Sequence, residues 1–207
     1  MSDSRSVEEQ LAFHYAEILR LVGEESRPGI ADTPMRAAKA MLHLTSSSRN
    51  RDVSEVIGTG IFDEPKGECK RGTLAPSPTI VRGIEFSSLC EHHMLPFYGV
   101  CHIGYVANGK VLGLSKFARI VDHCSHKLQI QEGLTLEVLD AVVNATGCEW
   151  VGVVMDSAHM CMKMRGVEKQ CSTTVTSRFW TSMSDAQARD IKEEFYRNLH
   201  LTNTKSF

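Results

Sequence analysis

Any fold this chain adopts has to bring two distant pieces of chemistry together: Cys90-Glu91-His92-His93 and, far downstream, His159-Met160-Cys161. Together they offer two thiols and an imidazole as metal ligands, with two more imidazoles beside them. Cys90 and His93 lie three apart, a spacing at which one turn folds both side chains onto one ion, so Cys161 must arrive from another element. Zinc closed by four protein ligands is usually structural, whereas three ligands leave a position for a water whose pKa falls toward neutrality. A lone Cys-x-x-His is weak, because a free cysteine is often just a small buried hydrophobe. The second His-x-Cys unit, and a polar His92 that a structural site would not need, make metal the better reading.

The chain has 207 residues, 42% hydrophobic and 23% charged, enough for one sizeable core or one domain with an arm. A net charge of −2 supplies no basic field of the kind that drives nucleic-acid binding, so any cationic site is local. No apolar run suggests a membrane span, and none follows a basic start as in a signal peptide. Seven cysteines, an odd number and scattered, fit a reducing, cytoplasmic setting rather than a disulfide framework.

Hydrophobic periodicity predicts a helix from Val7 to Val22 with Leu11, Tyr15, Ile18 and Leu19 on one face, broken at Arg27-Pro28-Gly29. A second helix is expected to open with Thr33 as cap and Pro34 at the first position, and to run to about Leu44. Ser46 to Pro78 is polar and rich in Gly, Pro and Ser, with Lys66 to Gly72 as an exposed loop, and is expected to be mobile and without chemistry. From Thr79 the period turns to strand type, and Asn108-Gly109 between apolar runs predicts a hairpin. Ser115 is expected to cap a helix through Ile120 and Val121, and a further helix from about Gln131 carries Leu134, Val138 and Val142 up to Gly147. Strands follow at Trp150–Ser157 and Ser172–Phe179, then a last helix opening at Ser184-x-x-Gln187 with Ile191, Phe195 and Leu199 aligned. Met160, Met162 and Met164 alternate and read as packing on a strand, while His102, Cys101, Cys124 and Cys148 read as structural.

Longer motifs surround these residues: Cys90-Glu91-His92-His93-x-x-Pro96-Phe97, His102-Ile103-Gly104-Tyr105, Gly113-Leu114-Ser115-Lys116-x-Ala118-Arg119, Gln129-x-Gln131-Glu132, and His159-x-Cys161-Met162-x-Met164-Arg165-Gly166-Val167. Through them, and through Thr33-Pro34-x-Arg36, the chain resembles GTP cyclohydrolase I over roughly residues 7–200. The resemblance implies an α+β tunnelling fold, an antiparallel sheet with two helices, preceded by a helical arm. Residues 1–50 would form the arm, 51–78 a connecting loop region and 79–207 the catalytic domain. It implies a decamer of two pentamers with active sites between subunits, and leaves room for a feedback regulatory protein. The implied reaction converts GTP and water to 7,8-dihydroneopterin triphosphate and formate, the first step toward tetrahydrofolate or tetrahydrobiopterin.

By the family's pattern Cys90, His93 and Cys161 hold zinc, although a Cys, His, Cys set also accepts ferrous iron. His92 and His159 are assigned to proton transfer, which suits a group titrating near neutral pH. Ser115 is grouped with them, at a helix start where backbone N–H groups favour anions. Glu132 is placed on the guanine edge, where a carboxylate accepts two adjacent N–H bonds, with Gln131 supporting it. Arg36, Lys116, Arg119 and Arg165 fall on triphosphate-contacting positions. The chain departs from the family at Gly133, where an arginine is common, at His126 and Lys127, and in the stretch from Ser177 to Met183. An inactive, ring-forming pterin- or nucleotide-binding subunit is the alternative. A zinc-bound nucleic-acid module is disfavoured by the acidic balance.

Overall fold

The computed structural model describes residues 5–25, 27–49, 52–65 and 75–200. In chain order the elements are α1 (Val7–Leu21), α2 (Thr33–Leu44), α3 (Val53–Ile57), β1 (Ile61–Asp63), β2 (Thr79–Cys90), β3 (Pro96–Val106) and β4 (Lys110–Leu112). Then come α4 (Leu114–Ser125), β5 (Leu128–Gln129), α5 (Gln131–Thr146), β6 (Trp150–His159), α6 (Met160–Lys163), β7 (Thr174–Thr181) and α7 (Asp185–His200). The main sheet is five-stranded in the order β5-β2-β3-β6-β7, antiparallel except for the β2–β5 pair. No helix among the described residues is long and apolar enough to cross a membrane.

α4 and α5 cover one face of the sheet. Phe117, Ile120 and Val121 from α4 and Leu134, Val138 and Val142 from α5 meet Phe86, Phe97, Ile103 and Val153 in the main core. Each such fully buried side chain stabilises by about 1.5–3 kcal/mol. α7 covers the other face at one end, where Ile191 and Phe195 pack on Val106, Trp150 and Val154. The unusual Ser177–Met183 stretch serves this second cluster: Phe179 contacts the rings of Trp150, Phe195 and Tyr196. α1 begins with a capping box, Ser6 and Glu9 satisfying each other's backbone N–H, yet buries no residue. α1 and α2 pack against each other.

Five local expectations are corrected. The region after Ser46 is not plain loop: Asp52 caps α3 by accepting from the Ser54 N–H at 3.2 Å, and β1 follows. Lys66–Gly72 lies outside the described residues. Asn108-Gly109 does turn the chain, with Gly109 at φ 76°, but β4 pairs with β1 rather than back onto β3. Glu64 draws the turn that way by accepting the Gly109 N–H, and Asp63 pairs with Lys110. Ser115 lies inside α4, because the Gly113 N–H is held by the Gly60 carbonyl at 2.9 Å and Gly113 itself becomes the cap. Asp32, not Thr33, is the cap position of α2. The methionines do not lie on a strand, since β6 ends where its last partner on β3, Phe97, stops; Met162 is 37% and Met164 68% exposed.

The structural reading of His102 holds. β2 bulges between Val81 and Ile84, with Gly83 at φ 69°, and the freed Gly83 N–H donates to His102 Nδ1 at 3.2 Å. Burial, and then Arg82, push the His102 imidazole below its usual range against the pull of Asp156; at His126 burial does the same, opposed by Asp122 and aided by His43. The folded state therefore refuses protons that the unfolded chain accepts near its ordinary pKa of about 6.5. More protons bound to the unfolded state mean that stability falls as pH drops through this window. The urea midpoint is expected to be lower at pH 5.5 than at 7.5, with a smaller difference in His102→Asn. An equal difference in the variant would remove His102 from the account.

Gly133 sits in α5 with ordinary helical geometry, where an added Cβ would meet Ile130 Cγ1 at 3.4 Å and Gln129 Oε1 at 3.5 Å, both ordinary contacts. Gly133→Ala is thus expected to raise stability by about 0.5–1 kcal/mol. A lower urea midpoint would show that this helix needs the glycine.

Candidate metal centre and its surroundings

β2 delivers Cys90 to the end of the sheet, where the Cys90 N–H is held by the Leu95 carbonyl at 2.9 Å and the Glu91 N–H by the Gln129 carbonyl at 3.0 Å. The chain then folds back tightly: the Cys90 carbonyl accepts from His93 and Met94, and Met94 takes a left-handed φ of 55°. The turn sets His93 Nδ1 3.7 Å and His92 Nδ1 3.9 Å from Cys90 Sγ. Cys161 enters from α6, directly after β6, which lies across β3 from β2. One ligand atom each from Cys90, His93 and Cys161 fall within 4.8 Å of one another.

The donor set fits zinc. Tetrahedral bonds of about 2.3 Å to sulfur and about 2.0–2.1 Å to nitrogen put the two donors about 3.6 Å apart, close to the 3.7 Å between Cys90 Sγ and His93 Nδ1. Burial pushes the Cys161 thiol up, and the neighbouring Cys90 thiol adds to this. A bound cation reverses that pressure by favouring thiolates. Cys101 and Cys124, also buried, are pushed by burial above the ordinary thiol range, Cys124 to about 12, and are inert packing groups.

His159, the last residue of β6, lies parallel to the Phe97 ring, with centroids 4.7 Å apart and planes 4° apart. Its Nε2 is 2.8 Å from Gln131 Oε1. Burial pushes its pKa down, while the Glu132 carboxylate pulls the other way. Glu132 itself is exposed on the first turn of α5. Gln131, expected at the substrate, is instead turned into the core and is 1% exposed. Its side-chain partners, the Ser157 and Thr176 hydroxyls and the Met155 and Thr174 carbonyls, escaped the sequence reading; for Ser157 and Thr176 the available signal was a polar side chain at an inward position of an apolar strand.

Of the four cations, the chain brings Arg165 to the cluster, where its Nη1 lies 3.2 Å from His93 Nε2. The others lie elsewhere. β3 runs eleven residues, about 33 Å from first to last, away from the cluster before the chain enters β4 and α4. Near the start of α4, Lys116 Nζ reaches the Val56 carbonyl at 3.4 Å, and Ser115 is exposed. Arg119 lines a cleft of about 560 Å³ with Ser46, Glu55, Asp122 and His126. Arg36 is exposed on the arm, paired with Asp32 at 3.0 Å.

A profile of the family described as GTP cyclohydrolase I matches residues 11–200. The chain is 47% identical over 190 residues to a protein from Pseudoalteromonas atlantica named GTP cyclohydrolase 1, spanning 91% of this chain and 97% of that one. Proteins of the same name from Bacteroides thetaiotaomicron and Hahella chejuensis are 45% and 44% identical, over 88% and 93% of this chain and 88% and 96% of theirs.

Proposed function

The chain belongs to the GTP cyclohydrolase I family, an enzyme family of the tunnelling fold, and on that premise we propose that it converts GTP and water to 7,8-dihydroneopterin triphosphate and formate. The observation that carries the proposal is the convergence of Cys90, His93 and Cys161 within 4.8 Å beside a sheltered His159.

In this reading Cys90, His93 and Cys161 hold zinc, or ferrous iron where that is the available metal. The ion, when bound, supplies Lewis acidity that polarises oxygen and lowers the pKa of water toward neutrality. His159 is kept neutral by burial and clamped flat by Phe97, so it stands ready to take up a proton. His92, 64% exposed and turned toward Cys90 Sγ, is the second carrier, open to exchange with solvent. Glu132 projects from the start of α5 and accepts the paired N–H groups of the guanine edge. Arg165 meets the triphosphate from the same chain.

Arg119 and Arg36 are assigned to that triphosphate by the family's pattern. Ser115 and Lys116 open α4, which follows the far end of β3 from their own cluster, so they serve it only if a neighbouring copy supplies them. This supports a ring assembly, a decamer of two pentamers, with sites between subunits. The exposed apolar side chains of α1, among them Phe13, Ile18 and Leu21, suit burial in such an assembly. A cytoplasmic setting and a feedback regulatory protein belong to the same reading. The test is incubation of the reduced, zinc-loaded protein with GTP, following formate together with the dihydropterin. Both products support the reaction. Neither product, from assembled protein shown to hold zinc, moves the reading to an inactive binding subunit.

A further inference from the structure

Gln131 makes a closed set of hydrogen bonds whose directions are all determined. Its Nε2 faces the Met155 carbonyl at 3.2 Å, the Thr174 carbonyl at 2.9 Å and Thr176 Oγ1 at 3.1 Å. Carbonyls only accept, so this end of the amide is the donor. The opposite flip would aim Oε1 at two carbonyl oxygens in a site where Gln131 is 1% and Thr176 8% exposed. Oε1 therefore faces Ser157 Oγ at 2.7 Å and His159 Nε2 at 2.8 Å. The network closes behind it, with Thr135 Oγ1 donating to the Gln131 carbonyl at 2.7 Å and so accepting from Thr176 Oγ1 at 2.6 Å.

An amide oxygen has only lone pairs to offer, so the His159 nitrogen facing it must carry hydrogen. We propose that Gln131 is a positioning residue that sets the tautomer of His159, holding the proton on Nε2 and leaving Nδ1 as the bare nitrogen. Among the described residues nothing hydrogen-bonds Nδ1. The Phe97 stack fixes the ring plane, which keeps Nε2 aimed at Gln131 Oε1. In a turnover an N–H bond forms at Nδ1 as an O–H or N–H bond on water or substrate breaks, and the same nitrogen later returns the proton. Nε2–H stays on Gln131 throughout. The inference deepens the proposed reaction and rests on His159 being its proton carrier.

The tautomer is read without GTP, so its result is independent of whether the reaction assay succeeds. Assembled, zinc-loaded protein labelled with 15N-histidine is measured by solid-state NMR at pH 8, the His159 signals being identified by their loss in His159→Asn. A neutral ring protonated at Nε2 is the expected result. A ring protonated at Nδ1, or at both nitrogens, overturns the proposal. In Gln131→Met, which keeps bulk but no acceptor, an Nδ1–H population is expected; an unchanged Nε2–H tautomer overturns Gln131's part. Gln131→Glu keeps an acceptor, so Nε2–H is expected to persist with a moved 15N resonance, and an unmoved resonance also overturns it. Turnover should separate in the same direction, with kcat falling roughly 10²-fold in Gln131→Met, KM for GTP little changed, and partial recovery in Gln131→Glu.

Discussion

Cys161→Ala is expected to lose most of its bound zinc and to form dihydropterin roughly 10³-fold more slowly, since a Lewis acid at the reacting centre contributes several kcal/mol and each 1.4 kcal/mol is about tenfold. The protein should still fold. Cys161 is only partly buried, at the edge of the main core, and contributes little packing there. Zinc should also distinguish the two proteins without any substrate. A ligand that binds the folded state stabilises it by about 2.7 kcal/mol at a hundred times its Kd, so the wild type should gain thermal stability with zinc and Cys161→Ala should not. An unaltered zinc-dependent shift in the variant would take Cys161 out of the ligand set.

Gly99→Ala is expected to destabilise the protein by about 3 kcal/mol, at the upper end of what overpacking costs. β3 approaches β6 so closely here that an added Cβ would sit 1.9 Å from the Asp156 carbonyl oxygen, a backbone atom that cannot move without the strand. Gly99 pairs with Ser157, between Phe97 and the Gln131 network, so the same displacement would loosen the His159 ring from its stack. The urea midpoint reports the first effect, and kcat measured in the folded population the second. A variant as stable as the wild type would mean that the strands separate at little cost.

The halves of the site were legible because ligand chemistry is local in sequence. Cys90 and His93 need only one turn between them, and the exposed His92 beside them had no structural reason to be there. The order of strands and helices was legible for a similar reason, since the period changes at Thr79 and again at Gln131. What escaped is what only tertiary packing decides. Nothing near Asn108-Gly109 says that β4 will pair with β1, because Glu64 and Asp63 approach from far upstream. Ser115 looked like a cap until the Gly60 carbonyl took the Gly113 N–H. The family's pattern puts Gln131 at the substrate, in support of Glu132. The Ser157 and Thr176 hydroxyls and two strand carbonyls turn its amide the other way.

The central claim is that Cys90, His93 and Cys161 hold one zinc ion with a position left open, and zinc X-ray absorption on the assembled protein tests it most directly. The account predicts two sulfurs at about 2.3 Å, one nitrogen at about 2.0–2.1 Å and one oxygen, with the sulfur count falling to one in Cys161→Ser. Four protein ligands around the zinc, or a sulfur count of two that survives in Cys161→Ser, would contradict it.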